Sequence, residues 1–222
     1  NRFDPNSGEI LHNIVRDIVT LEVLDLSSNP LRDSGVEDIV SSLVDNNNII
    51  SIDFTDTSIT DESAVRFAEV IETNTCLQRL NLSNNQITDV SSVFIAQAIS
   101  KNKTLLHLSL KSNEIGDLTA PILIESMQQN NTILDIDIDY NDFTYRTHVQ
   151  LSDAIVVHKK STANNIASVA SKQIELLKND ESRLFEVRDE VKKQKEAVSV
   201  SLAEKGRKEE MLHEMEVQRE VD

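Results

Sequence analysis

Apolar residues in this chain fall on a fixed register. Leu21-x-x-Leu24-x-Leu26-x-x-Asn29-x-Leu31 is followed 28 residues later by Ile49-x-x-Ile52-x-Phe54-x-x-Thr57-x-Ile59. The same pattern returns at Leu77, Leu105 and Ile133, giving five starts with one period and no insertion. Alternation at the start of each unit predicts a short strand. Later in each unit, Ile39/Leu43, Phe67/Ile71, Ile95/Ile99, Leu123/Met127 and Leu151/Ile155 are i, i+4 pairs, the spacing of one helical face. Each unit is therefore expected to be strand, turn and helix. Neither face can be buried within one unit, so stacked units should close a common core, with parallel strands inside and helices outside.

Two asparagine columns follow the same period. Asn29, Asn85, Asn113 and Asn141 come just after the strands, where an amide can bond turn backbone. Thr57 breaks that column and should weaken its turn. Asn46, Asn74, Asn102 and Asn130 fall where the helices end, and are expected to supply left-handed helix caps in a chain with four Gly. Extending the period backward places Leu11 and Val15 on a helical face. Residues 1–20 then read as the back half of an earlier repeat whose strand is missing, as in a fragment. Three N-glycosylation sequons, at Asn81, Asn102 and Asn130, are read as by-products of the repeat.

The LxxLxLxxNxL/I core at 28-residue spacing resembles the ribonuclease-inhibitor-like class of leucine-rich repeats over residues 1–158. The resemblance implies an α/β fold, a horseshoe solenoid that binds proteins on its concave face or rim. It is specific for architecture and says little about function.

Outward strand residues should form rows across that face. One row is Val23, Ser51, Arg79, His107, Asp135. The next is Asp25, Asp53, Asn81, Ser109, Asp137. The third is Ser27, Thr55, Ser83, Lys111, Asp139. Neighbours in a row stand about 4.8 Å apart, which predicts His107 beside Asp135 and Lys111 beside Asp139. Candidate partner contacts are Asp25, Asp53, Arg79, His107, Lys111, Asp135, Asp137 and Asp139. The triple Asp135-Ile-Asp137-Ile-Asp139 invites a hard-cation reading. A flat strand supplies too few oxygens for one, so a solvated acidic patch is expected instead.

No catalytic, cofactor or metal site is expected. The five His residues, at 12, 107, 148, 158 and 213, have no ligand spacing, and Cys76 has no evident base. Phosphate-binding glycine loops and nucleophile elbows are absent from the sequence. Residues 1–160 carry 11 Lys and Arg against 24 Asp and Glu, which disfavours nucleic acid and suits a partner with a basic surface. No apolar run is long enough for a membrane span, and a single cysteine fits a reducing, cytoplasmic setting.

Beyond the repeats, Tyr140, Phe143 and Tyr145 are expected to cover the end of the core. A helix end at His158-Lys159-Lys160 and a linker over 159–164 should follow. Residues 165–222 contain no Pro and one Gly, Gly206, and predict a long charged helix. Its seam column reads Ala163, Ala170, Leu177, Leu184, Val191, Val198, Lys205, Leu212. The companion column, with Gln173, Asp180, Gln194, Ser201 and Lys208, is mostly polar. A coiled coil, giving a homodimer or pairing with another chain, is the first reading. A helix packing on a larger assembly and a charge-stabilised single helix remain open. Repeats joined to a coiled coil resemble proteins of centrosomes and cilia, which implies a non-catalytic scaffold of the cytoskeleton, centrosome or axoneme. Two alternatives stand beside it: a GTPase activator similar to that of Ran, from which the mixed-charge tail departs, and the sensor repeats of an immune-type receptor.

Overall fold

The computed structural model describes residues 3–221, with side chains outside 179–181 and 197–221. Five strands, β1 (Val23–Asp25), β2 (Ser51–Asp53), β3 (Arg79–Asn81), β4 (His107–Ser109) and β5 (Asp135–Asp137), pair in parallel in chain order. The register is that of the repeat: Leu24, Ile52, Leu80, Leu108 and Ile136 are direct cross-strand partners. Helices α1 (Gly8–Asp17), α2 (Arg32–Leu43), α3 (Asp61–Thr73), α4 (Asp89–Lys101) and α5 (Thr119–Gln129) alternate with the strands, and α6 runs from Tyr145 to Val221. The repeat leucines and isoleucines, apart from the half-buried Leu21 and Leu24 of the first unit, and both members of the helical pairs from Ile39/Leu43 to Leu123/Met127 are buried. So are Leu11 and Val15 of α1, on the face that the backward extension of the period assigns to them. A T-shaped pair, Phe54 and Phe67 at 5.2 Å, is the aromatic element of an otherwise aliphatic core.

Strands of three residues leave little sheet, and side-chain amides extend it. Nδ2 of Asn85 donates to the carbonyls of Leu82 and Ser83 in its own turn and to Phe54 O one repeat back. Its Oδ1 accepts from the Thr57 and Ile59 amides. Asn29, Asn113 and Asn141 bridge likewise to Phe3, Ile87 and Ile115. Thr57 offers no such bridge back to the preceding repeat: its Oγ1 donates to Phe54 O at 2.7 Å and to Asn85 Oδ1 at 3.4 Å. Without an amide there, the Leu31 N–H turns to its own neighbour's carbonyl, Asn29 O at 2.7 Å, and Arg32 takes φ 55°.

The left-handed backbone lies elsewhere than expected. Asn74, Asn102 and Asn130 are extended, with φ between −66° and −93°. Buried at the helix ends, they donate to the last carbonyls of the preceding helix, such as Leu43 O, Ile71 O and Ile99 O, and accept from the amides two and three residues ahead. Besides Arg32 and Ser58, the left-handed residues form a column, Ser28, Asp56, Asn84, Ser112 and Tyr140, again every 28 residues, with φ of 53–58°. That turn lets the amides of the first four reach the next repeat's carbonyl at 2.8–3.0 Å, carrying the parallel ladder past the strand. Burial of Asn102 and Asn130 also closes two of the three sequons to modification.

Two further expectations are corrected at the end of the solenoid. Tyr140 and Tyr145 are exposed rather than covering the core. Leu151, Ala154 and Ile155 of α6 cover it instead, with Phe143 half-buried. The linker over 159–164 is absent, because α6 is continuous there. The basic run that suggested a helix end has tertiary partners: His158 Nε2 lies 3.0 Å from Ile133 O, and Lys159 Nζ is 3.0 Å from Asp135. Thr162 is buried beside them, and no Pro or Gly interrupts residues 145–205.

By internal packing the chain divides between Ile166 and Ala167. The second unit is a single helix. Of the expected seam, Leu177, Leu184 and Val191 are exposed. Val198 and Leu212 lie outside the described side chains.

Candidate partner-binding surface

The candidate residues do line one face, but the fold already uses several of them. Asp25 Oδ1 accepts from Ser27 N at 2.9 Å, and Asp53 Oδ1 from Thr55 N at 2.7 Å. Asn81 and Asp137 do the same for Ser83 and Asp139. This column therefore caps the turn after four of the five strands, while Ser109 Oγ pairs with Ser83 Oγ instead. The Ser27 bonds hold the Asp25 carboxyl below its usual range, so it stays ionised. Asp53 also accepts from Asn81 Nδ2 at 2.9 Å.

The acidic triple that begins on β5 has partners within the chain. Asp135 faces Lys159 at 3.0 Å, Asp137 faces Lys111 at 3.8 Å and Asp139 faces His148 at 3.5 Å. These differ from the expected pairs. His107 is the cross-strand partner of Asp135, yet the carboxylate turns to Lys159 of α6. Lys111 takes the diagonal Asp137 and sits 5.1 Å from the Tyr140 ring centroid. All three pairs are substantially exposed and add little stability, but the two lysines leave less free negative charge on β5.

At the centre of the face Arg79 is exposed, in register with Ser51 and His107, and has no ion pair among the described residues. Ser51, Asp53, Arg79, Asn81, His107, Ser109, Asp135 and Asp137 line a shallow depression of about 310 Å³. Val23 stands exposed at the β1 edge. Among the described residues, no group of three or more His, Cys, Asp or Glu side chains is arranged to hold a metal ion. The face therefore offers a guanidinium, an imidazole, carboxylates and several hydroxyl and amide groups for polar contact.

A polar network escaped the sequence reading. Asp33, Asp61, Asp89 and Asp117 recur every 28 residues and bridge to the next helix start. Asp33 binds Thr60 and Ser63, Asp61 binds Thr88 and Ser91, Asp89 binds Thr119, and Asp117 binds Thr144. Thr60 and Thr88 then cap α3 and α4. The period that revealed the asparagines would have revealed these.

Comparison with known proteins agrees with this architecture. A family model described as leucine-rich repeat matches residues 19–40, 73–94 and 101–118. Among solved structures, the chain resembles actin-binding site 2 of leiomodin-1, with a TM-score of 0.63 and 16% identity over 77% of this chain and 95% of that one. It also resembles a tropomodulin C-terminal domain from Caenorhabditis elegans, with a TM-score of 0.60 and 15% identity over 77% of this chain and 99% of that one. No curated protein matches in sequence. The chain carries leucine-rich repeats, folded as a parallel five-stranded sheet backed by helices and continuing into a long C-terminal helix.

Proposed function

We propose that the chain is a non-catalytic interaction scaffold of the cytoskeleton, whose sheet face receives a protein partner and whose long helix pairs with a second helix. The observation that carries this reading is the division of polar groups. The asparagine, threonine and helix-start aspartate columns bind the repeats to one another, and Arg79 and Val23 are left exposed on the face. A guanidinium without an ion pair among the described residues, in a depression lined by hydroxyl, amide and carboxylate groups, suits a hydrogen-bonded protein contact. The likeness of fold to a leiomodin-1 actin-binding site supports a cytoskeletal partner and makes actin the first to test.

The internal pairing of Asp135, Asp137 and Asp139 narrows the expectation of a basic partner. The free carboxylate charge lies toward β1 and β2, at Asp25 and Asp53. A partner would place a cation there and an acceptor against Arg79. The test is sedimentation of the full chain with filamentous actin, together with binding to monomeric actin. The expected result is saturable binding that falls at least tenfold with Arg79→Glu. Absence of binding to either form would sink actin as the partner.

A further inference from the structure

We propose that the outward faces of α4 and α5 dock an amphipathic helix of a protein partner, one whose apolar stripe is bordered by Lys and Arg. This surface is separate from the sheet face. The outward positions of α4, spaced i, i+3, i+4, i+7, are Val90, Val93, Phe94 and Gln97, and those of α5 are Leu118, Pro121, Ile122 and Glu125. Val90 is 69% exposed, Phe94 49% and Leu118 72%. Equivalent positions on α3 are Glu62, Val65, Arg66 and Glu69, and on α6 Arg146, Val149, Gln150 and Asp153. The repeat thus tolerates charge at these positions: Ile10, Val65 and Val149 are single apolar groups there, whereas α4 and α5 each carry three together. Ile122 is half-buried against the core, but the exposed Val90, Phe94 and Leu118 lie outside the core cluster.

Shape and charge narrow the occupant. The period sets Val90 level with Leu118 and Phe94 level with Ile122, so two directly packed helices present parallel apolar ridges. Packed helices stand about 8–10 Å apart, and the groove between two such ridges admits one helix carrying anchors at i, i+3, i+4 and i+7. The rim is acidic, with Glu62, Asp117 and Glu125 exposed around the ridges. Of the nearby cations, Arg66 is engaged by Glu37 and Glu69 at 3.2 and 3.5 Å and Lys101 by Glu72 at 2.7 Å, which leaves Arg146 on α6 against the three rim carboxylates. An anionic membrane would be repelled by this rim and by the chain's net charge of −16. A helix with basic borders would be attracted.

The probe is a labelled synthetic helix of about five turns with leucines at that spacing and lysines along both borders. A twin carries glutamates in place of the lysines. Each is titrated by fluorescence anisotropy against the full chain and against its Phe94→Glu, Leu118→Glu and Val90→Glu variants, with circular dichroism confirming that each folds. All three positions are at the surface, so loss of one variant leaves two. The lysine probe should bind at least tenfold more tightly than its twin, weaken with salt, and lose at least tenfold in each folded variant. Equal binding of the two probes, unchanged binding in the variants, or no binding overturns the proposal. So does self-association of the parent that Phe94→Glu abolishes, since a second copy would then be the occupant.

Discussion

Replacing Asn113 by alanine removes a side chain that serves two repeats. Its Nδ2 donates to Leu110 O at 2.9 Å and Leu82 O at 3.0 Å, and its Oδ1 accepts from the Ile87 amide at 3.1 Å. Asn113 is buried, so no water replaces these partners readily. Leaving a buried amide without an acceptor costs about 1–3 kcal/mol beyond the bonds themselves. Asn113→Ala should therefore lower unfolding stability by about 2–4 kcal/mol, read as a shift of the urea midpoint. Asp25→Ala, at an exposed turn cap, should cost less than about 1 kcal/mol. Equal losses would contradict this account. At this scale the sequence shows which positions matter but not always how. Asn102 and Asn130 stand out by period, yet their role is to bridge helix ends. The left-handed role belongs to Ser28, Asp56, Asn84, Ser112 and Tyr140, a column too varied in chemistry to attract notice.

The helix starts depend on the aspartate column. Burial acts to raise the Asp61 carboxyl, but donors from Ser91 and Thr88 outweigh it and hold the group below its usual range. The folded state therefore binds this proton less readily than the unfolded state. Its contribution is present above the unfolded pKa, near 4, and is lost as pH falls through the lower folded value. Asp61→Ala should destabilise the parent at pH 7 by about 1–2 kcal/mol through the lost hydrogen bonds. The difference should shrink steadily below about pH 4. Denaturation at pH 7, 5 and 3 checks it, and a difference independent of pH would show that the ionised form is not what binds Thr88 and Ser91. Among elements, strand register and helix faces are legible because both follow the 28-residue period. The continuity of α6 is not. His158-Lys159-Lys160 carries a local signature of a helix end, and only the tertiary partners Ile133 O and Asp135 show why the helix runs on.

On the scale of the whole molecule, the same locality explains how much of the site is legible. Rows across the sheet follow from the period, so every candidate strand residue falls where alternation places it. The ion pairs on β5 do not follow, because Lys159 and His148 come from α6, outside the repeat. What the chain assembles with rests most directly on the second unit. Leu177, Leu184 and Val191 expose 60%, 63% and 47% of their surfaces on a seven-residue spacing, a large apolar stripe for an isolated helix. If the stripe pairs with its own copy, the full chain should sediment with a mass rising with concentration toward twice 24.9 kDa. A Leu177→Asp/Leu184→Asp double variant should remain at the monomer mass, with the repeat unit's thermal transition unchanged. The polar companion column, with Gln173, Asp180 and Gln194, weakens such a seam. Dissociation is therefore expected in the micromolar range. A parent that stays monomeric at concentrations well above that range would rule out self-pairing and leave the helix to a seam on another protein.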